Sequence, residues 1–150
     1  MAEGSVLVVD DEPGIVEIAR VNLESAGYRV ISAGSGEEAL ELMGREHPDL
    51  VILEIMLPEM DGWQVLEKIE RLPDAAGTPV IFLSALAEDA EVLRGLEAGA
   101  IAYITKPFYP QDLVASVRIN LQVFNSELRE QHRRTLIAKR KRLIEQRLQK

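Results

Sequence analysis

The sequence PDLVILEIMLPEMDG, residues 48–62, contains the signal for a parallel α/β sheet. Within it, residues 49–54 (DLVILE) are almost entirely apolar, which is typical of a strand that other elements cover on both faces. Pro58 and Gly62 then bracket a loop, and a helical pattern continues to about Leu72. A buried strand followed by a loop and a helix is one unit of a parallel sheet, because parallel strands need crossover connections.

The same alternation of strand and helix occurs along most of the chain. Predicted strands lie at residues 5–10, 28–32, 49–54, 78–84 and 100–105. A fifth helix begins near Gln111 or Asp112, and the other predicted helices lie at residues 13–26, 35–46, 63–72 and 88–98. Five strands alternating with five helices predict a doubly wound parallel sheet with helices on both faces. Element order alone leaves open a flavodoxin-like sheet or half of a Rossmann fold.

Acids and hydrogen-bond donors follow the predicted strands at the edge where such sheets bind ligands. Asp10 and Asp11 follow the first strand, and Glu54 ends the third. Ser84 ends the fourth strand, and Lys106 follows the fifth. Clustered carboxylates repel one another and recruit a proton or a cation, and oxygen ligands favour Mg²⁺. Because a hydroxyl and an amine suit phosphoryl oxygens, the set predicts phosphoryl transfer onto a carboxylate.

Each of these residues also has a purely structural explanation. An acidic pair before a helix commonly caps it and interacts with its dipole, and a Ser or Lys at a strand end is commonly solvated. Their occurrence together at successive strand ends favours a shared site. His47 and His132 have no second ligand at metal-binding spacing, so we expect both at the surface.

Four motifs resemble the receiver domains of response regulators, in the order and spacing of that family. They are VLVVDDEP, PDLVILEIMLPEMDG, PVIFLSA and YITKPF, at residues 6–13, 48–62, 79–85 and 103–108. The resemblance covers about residues 5–124. It implies a flavodoxin-like (CheY-like) sheet with strand order 2-1-3-4-5 and a phosphoryl-accepting signalling domain rather than an enzyme.

The resemblance also implies roles for individual residues. Asp11 is expected to bind Mg²⁺ directly, Asp10 to support it through water, and the main-chain carbonyl of Met56 to be a further ligand. Ser84 and Lys106 are expected to contact the phosphoryl oxygens. Tyr103 is expected to be the aromatic that turns inward on activation. The family receives phosphate from a sensor histidine kinase or phosphotransfer protein, and passes the signal to an output protein or domain through helix four, strand five and helix five.

Glu54 departs from the family, which carries its phosphorylated aspartate at this position. One extra methylene moves the carboxylate by about an ångström, which costs roughly a hundredfold in a positioned reaction. We therefore expect poor phosphorylation of Glu54. Its longer side chain either reaches Ser84 or Lys106 as a partial phosphomimetic, or marks a pseudo-receiver that works as a dimerising or docking scaffold.

Charge is unevenly distributed between the body of the chain and its C-terminal end. Residues 1–127 hold 8 Lys or Arg and 23 Asp or Glu, whereas residues 128–150 hold 9 and 2. Such asymmetry predicts an acidic body and a basic tail with different roles. The basic run at residues 139–142 is typical of the solvated face of a long helix, and nucleic acid binding is the less favoured alternative.

Residues 111–150 contain neither proline nor glycine, which predicts one helix that runs about 55 Å, well beyond the domain. Val114, Leu121 and Leu128 are seven residues apart, and Val117 and Phe124 form an interleaved row. This spacing predicts a homodimer through a coiled coil, while the alternative is that only the first turns pack on the domain. We accordingly divide the chain into a receiver domain, residues 1–124, and a basic helical extension, residues 125–150, that is a coiled coil or signalling linker.

The remaining features concern the compartment. The sequence has no cysteine and no apolar run of membrane-spanning length. Residues 1–4 lack the basic start and apolar core of a signal peptide. We therefore expect a cytoplasmic protein that does not contact a membrane.

Overall fold

The computed structural model describes residues 3–149, and its centre is a parallel sheet of five strands. The strands are β1 (Ser5–Val9), β2 (Arg29–Ala33), β3 (Leu50–Leu53), β4 (Val80–Ser84) and β5 (Ala102–Thr105). Their order in the sheet is β2-β1-β3-β4-β5, which confirms the flavodoxin-like topology.

Helices connect the strands and continue after the last one. They are α1 (Pro13–Ser25), α2 (Gly36–Glu46), α3 (Gly62–Arg71), α4 (Asp89–Glu97), α5 (Pro110–Arg118) and α6 (Ser126–Leu148), with a π-helical segment at Ile119–Val123. Local chemistry explains several starts. Pro13 occupies the first turn of α1, and the Ser35 hydroxyl accepts a hydrogen bond from the Glu38 N–H (3.2 Å). Asp61 and Gln64 form a capping box on α3.

The hydrophobic core lies on both faces of the sheet, because alternate residues of each strand point to opposite sides. Val51 and Leu53 of β3 pack with residues of α2 and α3, whereas Leu50 and Ile52 pack with residues of α1 and α5. All four residues of β3 are buried. The apolar character of residues 49–54 is therefore explained by helices on both sides.

The strand register gathers the carboxyl ends of four strands at one edge. Val9 of β1 pairs with Leu53 of β3, and Leu53 pairs with Phe82 of β4. Ser84 of β4 pairs with Thr105 of β5. The residues that follow these strands therefore begin side by side.

The single straight helix expected over residues 111–150 is wrong. The chain leaves helical geometry at Phe124 (φ −92°, ψ 134°), and the Asn125 side chain caps α6 by accepting the Leu128 N–H (2.9 Å). Asparagine stabilises a helix start better than a helix interior, so it ends one helix and begins the next. After this break α6 packs against α4.

The apolar row expected to form the first part of a coiled coil faces the domain instead. Val117 is fully buried, and Val114 and Leu121 pack against the same cluster. The expected ranges 1–124 and 125–150 include Met1, Ala2 and Lys150, which lie outside the described residues. No helix within residues 3–149 combines the length and the apolar character needed to cross a membrane.

Candidate functional site

A lysine lies between two buried carboxylates at the carboxyl edge of the sheet. The Lys106 ammonium donates to Asp10 Oδ2 and to Glu54 Oε1, both at 2.8 Å. Asp10 follows β1, Glu54 follows β3 and Lys106 follows β5, so the sheet topology delivers all three. Their side chains are 2%, 3% and 10% exposed, respectively, which makes this a desolvated ion-pair network.

The second oxygen of Glu54 bonds to the backbone. Glu54 Oε2 accepts the N–H of Ile55 at 2.6 Å and the N–H of Met56 at 3.3 Å. The side chain therefore curls back over its own strand end while Oε1 reaches Lys106. Both oxygens have partners, so the buried charge is compensated without another cation.

Burial and hydrogen bonding oppose each other in the network. Burial would lower the pKa of Lys106, but its hydrogen bonds with Asp10 and Glu54 raise that pKa above its ordinary value, so the amine stays charged. Burial raises the pKa of Asp10, although its hydrogen bonds with Lys106 and with the Glu12 N–H act in the opposite direction. The ion pair is therefore held by hydrogen bonds against a desolvation cost.

Glu12 adds a third carboxylate that we did not single out from the sequence. Its Oε1 lies 3.3 Å from Lys106 Nζ, and ligand oxygens of Asp10, Glu12 and Glu54 lie within 4.8 Å of one another. Three carboxylates against one ammonium leave negative charge, and oxygen donors of this kind fit Mg²⁺. The signal was present in the sequence, because Glu12 directly follows the acidic pair.

The structure does not place Asp11 in this carboxylate group. Asp11 is exposed and lines a neighbouring groove with Asp10, Val16 and Arg20. Met56 has an exposed side chain, and its N–H is directed at Glu54. Of the four expected metal ligands, Asp10 and Glu54 are thus brought together by their side chains.

Ser84 and Tyr103 meet at the segment that follows β4. The buried Ser84 hydroxyl accepts the Leu86 N–H at 3.3 Å, and the Tyr103 hydroxyl donates to the Leu86 carbonyl. The Tyr103 ring lies 6.0 Å from the Phe82 ring, and a Cβ on Gly95 would lie 2.8 Å from it. The ring is therefore turned inward over α4.

The setting of Tyr103 also affects its acidity. Burial raises the pKa of Tyr103 to about 12, although the nearby Ser84 hydroxyl acts in the opposite direction. The phenol is therefore neutral and remains a hydrogen-bond donor at physiological pH.

Of the two contacts expected for the longer side chain of Glu54, with Ser84 or with Lys106, the structure contains the one with Lys106.

Comparison with known proteins agrees with this geometry. The sequence model of the response regulator receiver domain matches residues 6–118. The chain is 44% identical over 118 residues to a probable transcriptional regulator, ycf27, of Porphyridium aerugineum, covering 79% of this chain and 48% of the relative. It is 43% identical over 117 residues to the alkaline phosphatase synthesis transcriptional regulatory protein PhoP of Bacillus subtilis, covering 78% of this chain and 48% of the relative.

A solved structure has the same architecture. A putative response regulator from Chloroflexus aurantiacus superposes with a TM-score of 0.73 at 36% identity, covering 77% of this chain and 94% of that one. The chain spans about half the length of the curated relatives that it matches. The family match, the strand order and the acidic edge lead to one conclusion. The chain belongs to the response regulator receiver domain family of two-component signal transduction.

Proposed function

We propose that this chain is a response regulator receiver in which Glu54 acts as a built-in partial substitute for the phosphorylated acceptor. The observation that carries the proposal is the Glu54–Lys106 contact of 2.8 Å, in a site where Tyr103 is already turned inward. Lys106 is the residue expected to pair with a phosphoryl group. A carboxylate that is always paired with Lys106 supplies one negative charge, whereas a phosphoryl group supplies nearly two.

The same contacts make Glu54 a poor phosphoryl acceptor. Its Oε1 is held by Lys106, and its Oε2 is held by two backbone N–H groups. An attacking oxygen must leave one of these partners, and the extra methylene displaces it from the position that aspartate would take. A displacement of about 1 Å costs roughly a hundredfold in rate.

Asp10, Glu12 and Glu54 are the side chains that would hold Mg²⁺, with Asp11 and the Met56 carbonyl as the further ligands that the resemblance implies. When bound, Mg²⁺ supplies positive charge for phosphoryl oxygens. The carboxylates of this chain orient toward one point, and Lys106 balances part of their charge at 2.8 Å. We expect Mg²⁺ to compete with the lysine for the same oxygens.

Upstream, membership of the receiver domain family favours input from a sensor histidine kinase or a phosphotransfer protein. Downstream, the relatives named as transcriptional regulators favour an output protein or domain that controls transcription. We propose α4, β5 and α5 as the signalling surface, because Tyr103 of β5 bonds to Leu86 before α4, and Leu86 bonds to Ser84 at the carboxyl edge of the sheet.

A docking scaffold that never responds to phosphate is the second candidate. It is favoured by the hydrogen bonding of Glu54, because both of its carboxylate oxygens have partners within the chain. In this role the chain dimerises or docks through its C-terminal helix. The two candidates differ in whether restoring aspartate restores a response.

Phosphorylation of the Glu54→Asp variant is the test that separates them. With acetyl phosphate and Mg²⁺, we expect intact mass measurement to detect one phosphoryl adduct on Glu54→Asp and none on the unmodified chain, because aspartate restores the acceptor geometry. Glu54→Gln is the control that removes the nucleophilic oxygen. A stoichiometric adduct on the unmodified chain, lost in Glu54→Gln, would contradict the proposal, and an unreactive Glu54→Asp would favour the scaffold.

A further inference from the structure

The outer face of α4 is covered by a stripe of α6 that is only partly buried. The half-buried residues at helical spacing are Arg133, Leu136, Ile137, Arg140, Leu143 and Ile144. No residue of α6 reaches full burial. A long helix with a shallow contact receives little stabilisation from packing, so other interactions must hold it in place.

Charge complementarity supplies those interactions at the N-terminal end of α4. Asp89, in its first turn, is 9% exposed at its side chain, and its Oδ1 lies 2.7 Å from Arg140 Nη1. The other carboxylate oxygen of Asp89 pairs with Arg147. Two arginines of α6 therefore converge on one nearly buried acid, and removing the partners of a buried charge is costly.

Basic residues of α6 also contact the opposite end of α4. Arg133 donates to the carbonyl of Leu96, in the last turn, where a cation interacts favourably with the helix dipole. Lys141 lies 3.7 Å from Glu97. One end of α4 thus presents an acid and the other a backbone carbonyl, and α6 carries arginines at the matching positions.

The start of α4, which α6 contacts, follows closely after Ser84, and Ser84 ends β4 at the carboxyl edge of the sheet. Asp89 follows Leu86 by three residues, and Leu86 bonds to both Ser84 and Tyr103. Clamping the start of α4 therefore restrains the segment from Ser84 to Asp89. At the other end of α6, the break at Phe124 and Asn125 separates α6 from the helical segment that continues α5.

We propose that the outer face of α4 is a docking surface for a basic helix, and that α6 is its occupant within the chain, held by the Asp89 ion pairs. A partner protein that presents a similar basic helix must first displace α6. Because the contact is shallow and charge-dominated, we expect loss of the ion pairs to release α6 from α4. The surface is controlled by this cover whether or not Glu54 acts as a substitute for phosphate.

Hydrogen exchange of the full chain, followed by mass spectrometry, tests the cover. The variant Arg140→Gln/Arg147→Gln removes both partners of Asp89. The matched control Lys139→Gln/Arg142→Gln removes the same charge from exposed positions of α6 that form no ion pair within residues 3–149. We expect peptides from α4 and from residues 136–144 to exchange at least about tenfold faster in the first variant, since loss of about 1.4 kcal/mol is tenfold.

Salt gives a second readout on the unmodified chain. Raising the ionic strength from about 0.1 M to about 1 M shortens the screening length from about 10 Å to about 3 Å. We expect this to accelerate exchange in α6 of the unmodified chain and of the control, with a smaller effect on Arg140→Gln/Arg147→Gln. Unchanged exchange in β1 and β3 verifies that each variant is folded, and Arg147→Gln alone replaces the double variant if it unfolds.

Two results would overturn the proposal. One is equal exchange in the paired variant and its control. The other is exchange of α6 in the unmodified chain at the rate of an unstructured peptide. Neither depends on phosphorylation, so failure of the cover is distinguishable from failure of the Glu54 proposal.

Discussion

At the scale of single residues, the extra methylene of Glu54 changes which donors its carboxylate meets. One oxygen turns back to the N–H groups of Ile55 and Met56, and the other is left for Lys106. The Ser84 hydroxyl is instead engaged with Leu86. The buried charges of the site are therefore satisfied by contacts within the chain, and Glu54 is the partner of Lys106 at the position where a phosphoryl group is expected.

The backbone around Glu54 has no room to adjust, because α3 begins directly against it. A Cβ on Gly62 would lie 2.5 Å from the Glu54 carbonyl oxygen and 2.6 Å from Ile55 Cα. We expect Gly62→Ala to lower the free energy of unfolding by about 1–3 kcal/mol, as overpacking a rigid contact does. Urea denaturation measures the change.

Gly44→Ala is the matched control for that substitution. Gly44 lies in α2 with nothing within 4 Å of an added Cβ. Alanine there should stabilise the protein by about 0.5–1 kcal/mol, because glycine is unfavourable in a helix interior. Equal effects of the two substitutions would mean that the approach of α3 to Glu54 does not constrain the site.

Part of the site could be predicted from strand ends alone. Asp10, Glu54, Ser84 and Lys106 follow strands whose order and direction determine their neighbours. Glu12 was missed because a strand pattern does not indicate how far a side chain after the strand reaches back. The resemblance does not reveal the partners of Glu54 either, since the family carries a shorter side chain there.

At the scale of elements, strands and helices up to α5 follow from apolar runs, caps and turns, whereas the course of α6 does not. Residues 111–150 have uninterrupted helical composition, so only Asn125 marked the break, and a single asparagine is a weak signal. The contact with α4 depends on tertiary neighbours that no local pattern contains. Such long-range contacts overrode the predicted straight helix.

The ion pairs within α6 predict how the stability of the protein depends on pH. Hydrogen bonds from Arg133 and then Arg134 lower the pKa of Glu130 to about 2 from an ordinary value of 4.5. A carboxyl with a lowered folded-state pKa stabilises the fold above pH 4.5, and this contribution is lost as pH falls through the folded value. We therefore expect the stability difference between the unmodified chain and Glu130→Gln to shrink as the pH falls from 4.5 towards 2.

Urea denaturation over that pH range measures the difference. Glu145→Gln is the control, because Glu145 lies on the same helix, is exposed, and forms no ion pair within residues 3–149. A difference for Glu130→Gln that does not vary with pH, or that matches the control, would show that these arginines do not hold Glu130 ionised.

At the scale of the whole molecule, the acidic body and basic tail meet each other. Asp89 and Glu97 of α4 pair with Arg140, Arg147 and Lys141 of α6. The charge asymmetry seen in the sequence is thus partly compensated within the chain, which weakens the case for the tail as a nucleic acid surface. Dimerisation through the tail stays a prediction, and it requires a surface other than Val114, Val117 and Leu121, which face the domain.

The proposed function depends on the ion pair between Glu54 and Lys106, and a double-mutant cycle measures the strength of that pair. Glu54→Gln, Lys106→Met and the double variant are compared by urea denaturation with the unmodified chain. Lys106→Met leaves two buried carboxylates without their cation and should cost about 3–5 kcal/mol, whereas Glu54→Gln leaves Lys106 paired with Asp10 and should cost less. The double change should cost less than the sum of the single changes by about 1–3 kcal/mol. Additive losses would contradict the account, because they would mean that Glu54 and Lys106 do not interact in the folded protein.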